Sequence, residues 1–238
     1  MTSGVILRAH GLIAGYHNKA VIGPIDLAVA DNETIALIGP NGVGKSTILK
    51  TLTGLIAPIA GTITFQTRSI TNAGVHIHAR NGLVIVGEHR ANVLRTLTVQ
   101  DNLDLATTTR QQPHTVDPID LFPKLGQRRR QLAGTLSGGE LQMLSLAMAL
   151  ALAPTCLLLD EPSAGLAPIV LHDLRQALKT LRGIGLSLII AEQRPEVVKG
   201  LCDRVAIAAE SKLTYLPPDA DLSSQTLIDQ YFNHHPTT

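Results

Sequence analysis

The sequence has no tryptophan, few other aromatic residues and only two cysteines. Aromatic residues make up 3% of the 238 residues, so a hydrophobic core must be built from Leu, Ile, Val and Ala. Cys156 lies inside the apolar run 156–159, where burial as a small hydrophobic residue is expected. Two isolated cysteines provide neither a disulfide framework nor the spacing of a zinc site. These absences argue against a small disulfide-rich or zinc-stabilised fold.

An excess of charge of either sign is also absent. The chain has 20 Lys and Arg against 19 Asp and Glu, which leaves no general attraction to nucleic acid or anionic lipid. The only basic cluster, 127–131, is typical of a solvated helix face, and we predict no nucleic-acid partner. No secretion signal is evident, and the longest apolar stretch, 144–159, is too short and too interrupted to span a bilayer. A cytoplasmic location is therefore expected.

Hydrophobic patterns indicate strands that alternate with helices, which is typical of a mostly parallel sheet covered by helices. Residues 4–38 are rich in strand patterns, whereas 98–153 contain mostly helical ones. We expect one domain, residues 1–238, with its core at 1–88 and 154–238 and an inserted helical lobe at 89–153. The tail is expected to start as a loop and to end in a short helix.

Residues 39–47, "GPNGVGKST", fit the phosphate-binding motif G-x-x-x-x-G-K-[ST]. They follow an apolar strand and open a helical segment, as this motif requires. Glycines let backbone N–H groups converge on phosphate oxygens, and the helix N-terminus adds partial positive charge. Lys45 would supply a full charge to the β- and γ-phosphates, and Ser46 would place its hydroxyl on Mg²⁺. The motif thus predicts a P-loop nucleoside triphosphatase in which Lys45 also assists catalysis; its nucleotide-binding residues are Gly39, Pro40, Asn41, Gly42, Val43, Gly44, Lys45, Ser46 and Thr47.

Two acids, Asp160 and Glu161, directly follow the apolar run 156–159. Acids at the carboxyl edge of a parallel sheet face the crevice where such folds bind ligands. Asp160 would hold Mg²⁺, usually through a water, and Glu161 would orient or deprotonate the attacking water. By themselves they could be solvated loop acids, but the phosphate motif favours a catalytic site.

A second glycine motif, Ser137, Gly138 and Gly139, precedes a long helical run with Glu140 in its first turn. Alone it indicates only a helix cap. With the phosphate motif and "LLLDEP", in this order and spacing, it resembles the nucleotide-binding subunit of an ATP-binding cassette (ABC) transporter over about residues 5–210. The resemblance implies an N-terminal antiparallel β subdomain, ATP hydrolysis and two subunits paired head to tail. Each ATP would lie between one P-loop and the partner's residues 137–139, and permease subunits would hold the chain at the cytoplasmic face of the membrane.

The resemblance also assigns roles to single positions. Tyr16 would stack on adenine, although an ordinary half-buried tyrosine is the alternative. Glu88 occupies the position of the family's usual Gln and would contact Mg²⁺ or its waters. The loop 163–168 would touch the partner subunit, and apolar residues of 91–97 would pack either on a membrane subunit or within the helical lobe. Gln193 stands where most of the family has His, so we expect a γ-phosphate sensor that forms hydrogen bonds but transfers no proton.

Within the family, the segments 121–150, 97–103 and 162–168 and the pair "EQ" at 192–193 resemble one ATPase subunit of branched-chain amino acid uptake systems. This resemblance implies permease chains, a second ATPase subunit and a solute-binding protein. The coupling segment departs from the subgroup, with Gly87 in place of a proline. The usual glycine-containing hairpin after Arg204 is not evident.

Other functions remain open at this point. They are the ATPase of an exporter, a soluble cassette ATPase without a permease, another P-loop hydrolase or kinase, and a regulatory cassette that binds ATP but barely cleaves it. The neighbours of Gln193 also have two interpretations: Glu192 and Arg194 either cap the strand end or pair at the surface.

Overall fold

A computed structural model describes residues 4–108 and 116–217 of the chain. Its strands are β1 (Val5–Tyr16), β2 (Lys19–Ala30), β3 (Thr34–Ile38), β4 (Ala60–Phe65), β5 (Arg68–Ser69), β6 (Leu83–Val86), β7 (Cys156–Asp160), β8 (Ser187–Glu192), β9 (Arg204–Ala209) and β10 (Lys212–Tyr215). Its helices are α1 (Lys45–Leu52), α2 (Val75–Arg80), α3 (Val99–Thr108), α4 (Pro118–Leu121), α5 (Pro123–Gln127), α6 (Gly138–Ala151), α7 (Pro168–Gly183) and α8 (Pro195–Val198).

The central sheet has six strands in the order β10-β9-β3-β8-β7-β6. All neighbours pair in parallel except β10, which runs antiparallel to β9. Every residue of β3, β7 and β8 is buried, which explains their almost unbroken apolar sequences, because helices or the second sheet cover both faces. The predicted parallel sheet is confirmed.

A second sheet, antiparallel and in the order β2-β1-β4-β5, packs on one side of the central sheet. Alternate residues of β1 and β2 point into a core that they share with α1 and the inner face of the central sheet. His17 and Asn18, both with positive φ, form the tight turn between the two strands. The antiparallel β subdomain implied by the resemblance is therefore present.

In the described part of the chain, the helices α3 to α6 lie between β6 and β7. The longest of them, α6, is buried at every position from Leu141 to Ala151, so it has no solvent-facing stripe. It packs on α3 and β6, and its side chains belong to the same core as the outer face of the central sheet. The helical insertion is thus present; the proposed boundaries at 88 and 153 stay a prediction.

The hairpin after Arg204, not evident from the sequence, exists as β9 and β10. Glu210 and Ser211 form its turn with φ values of 47° and 60°, so two non-glycine residues take the left-handed conformation that glycine usually supplies. The backbone oxygen of Ser211 accepts a hydrogen bond from the N–H of Gly23, which fastens the turn to β2. A hairpin is thus present without the glycine that is usual in the family, and this tertiary contact holds a turn that local residue preferences disfavour.

Among residues 4–108 and 116–217, no helix is long and apolar enough to cross a membrane. The helix expected at the end of the tail falls outside the described residues.

Candidate nucleotide-binding site

Three adjacent strands of the central sheet end at one edge and bring the sequence motifs together. Ile38 pairs with Glu192, and Asp160 pairs with Ala191, so the ends of β3, β8 and β7 are level. The N–H of Gly39 donates to the Glu192 backbone oxygen at 3.3 Å, and the N–H of Glu161 donates to the Ala191 oxygen at 2.9 Å. The phosphate motif, the paired acids and the polar residues after β8 therefore leave the sheet side by side.

The phosphate loop lies tightly between the two sheets. A Cβ atom at Gly39 would lie 2.5 Å from the backbone oxygen of Ala208, so no other residue fits there without a shift of the backbone. Gly44 has φ 108° and directly precedes α1, and a Cβ there would lie 3.0 Å from Ile22. Because Ile22 belongs to β2, the antiparallel sheet supports the loop from one side.

The buried side chain of Lys45 forms hydrogen bonds with the backbone at the start of the phosphate loop. Its side chain is 3% exposed, and Nζ donates to the backbone oxygens of Gly39 at 2.8 Å and Pro40 at 3.0 Å. The same Nζ lies 3.2 Å from Oε1 of Glu161, whose side chain is 15% exposed. The structure thus places the lysine and the proposed catalytic acid in one ion pair, although they are separated widely in sequence.

Ser46 and Asp160 form a second pair beside the first. The Ser46 hydroxyl donates to Oδ1 of Asp160 at 2.8 Å, whereas Oδ2 is buried and has no hydrogen-bond partner. Burial is the main reason why the pKa of Asp160 lies above its ordinary value, and the negative charges of Glu161 and Glu88 raise it further. A cation beside Asp160 would satisfy the unpartnered oxygen and offset this charge.

The donor set therefore fits Mg²⁺. The described residues contain no cluster of three or more His, Cys, Asp or Glu that could hold a metal by itself. Mg²⁺ does not need one, because it commonly takes one or two protein oxygens and completes its shell with water and substrate phosphates. Ser46, Asp160 and the nearby Glu88 match that requirement.

The polar residues at the tip of β8 point in different directions. Glu192 is 2% exposed, and its Oε1 accepts from the Ser163 N–H at 2.9 Å. Arg194 and Gln193 are both exposed, and Arg194 donates to the Ser163 hydroxyl at 3.0 Å. Pairing of Glu192 at the surface was therefore the wrong alternative, because this carboxylate lies inside and holds the loop that follows Glu161. Burial raises the pKa of Glu192, and the hydrogen bonds from Ser163 partly oppose that effect.

The second glycine motif forms a complete helix cap. The Ser137 hydroxyl accepts from the N–H of Glu140 at 3.3 Å, and the Glu140 carboxylate accepts from the N–H of Ser137 at 2.9 Å. Burial raises the pKa of Glu140, but the hydrogen bonds from Ser137 and the positive charge of Arg128 lower it by more. The pKa of Glu140 therefore lies below its ordinary value. Ser137 and Gly138 are exposed, and within the described residues no hydrogen bond joins 137–139 to the phosphate loop 39–47.

The predicted adenine contact Tyr16 and the predicted membrane-facing segment differ in how far they are exposed. Tyr16 ends β1 with 43% of its side chain exposed, on the hairpin whose Ile22 supports the phosphate loop. In the segment expected to meet a membrane subunit, Val93 is buried in the core and Leu94 is 45% exposed. Val93 therefore packs within the chain, whereas contact of Leu94 with a membrane subunit stays a prediction.

Fold and site together define a P-loop nucleoside triphosphatase with an antiparallel β subdomain and a helical insertion. The family described as "ABC transporter" matches residues 22–164. The high-affinity branched-chain amino acid transport ATP-binding protein BraG of Pseudomonas aeruginosa is 34% identical over 206 residues, which cover 84% of this chain and 88% of BraG. The lipopolysaccharide export system ATP-binding protein LptB of Acidithiobacillus ferridurans is 30% identical over 234 residues, 95% of this chain and 96% of LptB. The crystal structure of the ADP conformation of MJ1267, an ATP-binding cassette of an ABC transporter, covers 89% of this chain and 90% of its own with a TM-score of 0.77 at 24% identity.

The chain belongs to the ABC transporter family and is one of its ATP-binding, ATP-hydrolysing subunits. The fold and enzyme class expected from the sequence are therefore confirmed.

Replacing Lys45 by Ala is expected to weaken ATP binding by about 100-fold or more, because a buried charge that faces the phosphates is lost. Titration with a fluorescent ATP analogue measures this change. Lys179→Ala, which removes an exposed lysine of α7, serves as the control and should bind like the parent. Tight binding by the Lys45 variant would refute its assignment to the phosphate cradle.

Proposed function

We propose that the chain powers the import of branched-chain amino acids or related small solutes as one ATPase subunit of a membrane transporter. Support comes from the segments that resemble this subgroup, the Glu192–Gln193 pair among them, and from the 34% identity to BraG. Permease subunits in the membrane, a second ATPase subunit and a solute-binding protein are the partners of this proposal.

Export is the second candidate. LptB is 30% identical over 95% of this chain, so the similarity to an export ATPase extends further along the sequence than the similarity to BraG. The ATPase site serves either direction of transport, because it reads the nucleotide and not the transported solute. We prefer import because the segments 121–150, 97–103 and 162–168 resemble the ATPase subunit of branched-chain amino acid uptake systems.

In the proposed mechanism, the loop 39–47 binds the phosphates with its backbone N–H groups and Lys45. Ser46, Asp160 and Glu88 would hold Mg²⁺, which would supply the positive charge that offsets the phosphate charge during attack at phosphorus. The unpartnered Oδ2 of Asp160 is the observation that supports this placement. Tyr16, at the exposed end of its hairpin, is the proposed adenine contact.

Glu161 is the proposed general base. In the structure its carboxylate pairs with Lys45 at 3.2 Å. When a γ-phosphate draws the lysine ammonium, this pair is broken and the carboxylate is released toward the attacking water, whose proton it accepts. Binding of the substrate and preparation of the base are thereby linked through one side chain.

A second subunit completes the site in this proposal. Ser137 and Gly138 are exposed at the N-terminus of the 14-residue helix α6, where backbone N–H groups favour anions. They form no hydrogen bond with the chain's own loop 39–47 in the described part of the structure. A partner's residues 137–139 would close over the γ-phosphate from outside, and the loop 163–168 would contact that partner.

Replacing Glu161 by Gln should lower ATP hydrolysis by about 10²–10⁴-fold, because the amide cannot accept the proton. ATP binding should persist, and light scattering in the presence of ATP and Mg²⁺ should show two subunits associated. Glu196→Gln, an exposed carboxylate in α8, is the matched control. Hydrolysis at the parental rate in the Glu161 variant would exclude it as the base.

Replacing Gln193 by His should leave hydrolysis unchanged or higher, because either side chain can donate a hydrogen bond to a phosphate oxygen. The rate of ATP hydrolysis by parent and variant is measured in the steady state across pH 6 to 8. A histidine that takes part in proton transfer would add a titration to this profile near its ordinary pKa of about 6.5. A collapse of the rate would mean that the local geometry is specific to Gln193.

The import proposal is tested in cells of the source organism. Disrupting the gene should lower uptake of radiolabelled leucine, isoleucine or valine, and the parental gene should restore it where the Glu161→Gln variant does not. Normal uptake together with defective lipopolysaccharide assembly would favour export instead.

A further inference from the structure

Arg90 lies in the segment between β6 and α3 and contacts two distant parts of the chain. Its Nε donates to Oε1 of Gln142 on α6 at 3.0 Å, and its Nη2 donates to the backbone oxygen of Ala164 at 3.2 Å. Arg90 itself has φ 57°, a left-handed conformation that a non-glycine residue adopts only where its surroundings stabilise it. Burial, and secondarily the charge of Arg95, lowers the pKa of this guanidinium.

Asn92, two residues further along the chain, forms side-chain hydrogen bonds with α6. Its Nδ2 donates to the backbone oxygen of Ser145 at 2.9 Å, and the Ser145 hydroxyl donates back to its Oδ1. Because Gln142 and Ser145 are one turn apart on α6, Arg90 and Asn92 form hydrogen bonds with the same face of this helix. Only Arg90 also reaches the loop 162–168.

The loop 162–168 begins directly after Glu161 and has few ties of its own. Glu192 and Arg194 hold Ser163 from the tip of β8, and the N–H of Ala164 donates to the Glu161 oxygen at 3.0 Å. The bond from Arg90 to Ala164 fixes the next residue of the loop from the opposite side, that of the helical insertion.

We propose that Arg90 is a positioning residue that fixes the loop 162–168, and with it Glu161, relative to α6 and the segment 88–97. This inference deepens the proposed function and rests on it in one respect: Glu161 is the group whose placement matters for hydrolysis. A displacement of the segment 88–97 then moves the helix that carries Ser137 and the loop after the catalytic acid together.

The test compares Arg90→Met, which keeps an aliphatic side chain and removes all donors, with Asn92→Ala as the matched control. Hydrogen exchange of the full chain without nucleotide is read at the amides of Ser163, Ala164 and Leu166. These amides are protected by acceptors in or beside the loop. They should exchange about fivefold faster in Arg90→Met, because one hydrogen bond that holds the loop is lost. In Asn92→Ala they should exchange as in the parent, and Arg90→Lys should return toward the parent because it restores a donor.

Steady-state hydrolysis adds a second readout. Arg90→Met should lower kcat several-fold with KM for ATP unchanged, because the side chain of Arg90 donates its hydrogen bonds to Gln142 and Ala164, both outside the loop 39–47. Unchanged exchange in Arg90→Met, equal acceleration in Asn92→Ala, or a raised KM with normal kcat would each overturn the inference. If even the parent protein does not cleave ATP, the proposed function fails. The hydrogen-exchange experiment is done without nucleotide, so its result still decides the role of Arg90. Circular dichroism confirms that each variant is folded.

Discussion

The level ends of β3, β8 and β7 are the constraint on which the rest of the site depends. Parallel pairing fixes Ile38 opposite Glu192 and Ala191 opposite Asp160, so a slip of one residue would turn the acids from one face of the sheet to the other. Such a slip is costly because the side chains packed against both faces of these strands would no longer fit their neighbours. Hydrophobic burial of three short strands therefore positions groups that are themselves charged.

Charge is concentrated at this edge, and the structure balances it locally. Glu161 is paired with Lys45, Asp160 is half satisfied by Ser46, and Glu192 accepts hydrogen bonds from the backbone N–H groups of Ser163 and Gln193. Of the three acids only Asp160 retains a buried oxygen without a partner. Oδ2 of Asp160 is thus the one buried carboxylate oxygen of the three acids that still lacks a partner. This agrees with a site that acquires its cation together with the nucleotide.

Much of this arrangement could be predicted from short segments, because a strand followed directly by a glycine-rich loop or by acids is a local pattern. The phosphate loop, the paired acids and the cap at Ser137 are of this kind. The inward orientation of Glu192 and the contacts of Arg90 depend on residues far away in the sequence, so no local pattern indicates them. The turn at Glu210 and Ser211 was missed for the same reason, since the stabilising partner, Gly23, lies at the other end of the chain.

The complete burial of α6 has a consequence for how the chain reaches this structure. A helix that is buried at every position from Leu141 to Ala151 depends on tertiary packing for its stability, and a partly folded chain supplies only part of that packing. During synthesis it emerges before β7 and β8, which form the middle of the sheet beneath it. Until those strands arrive, α6 lacks part of its packing, and its uncovered apolar side chains favour aggregation of the nascent chain.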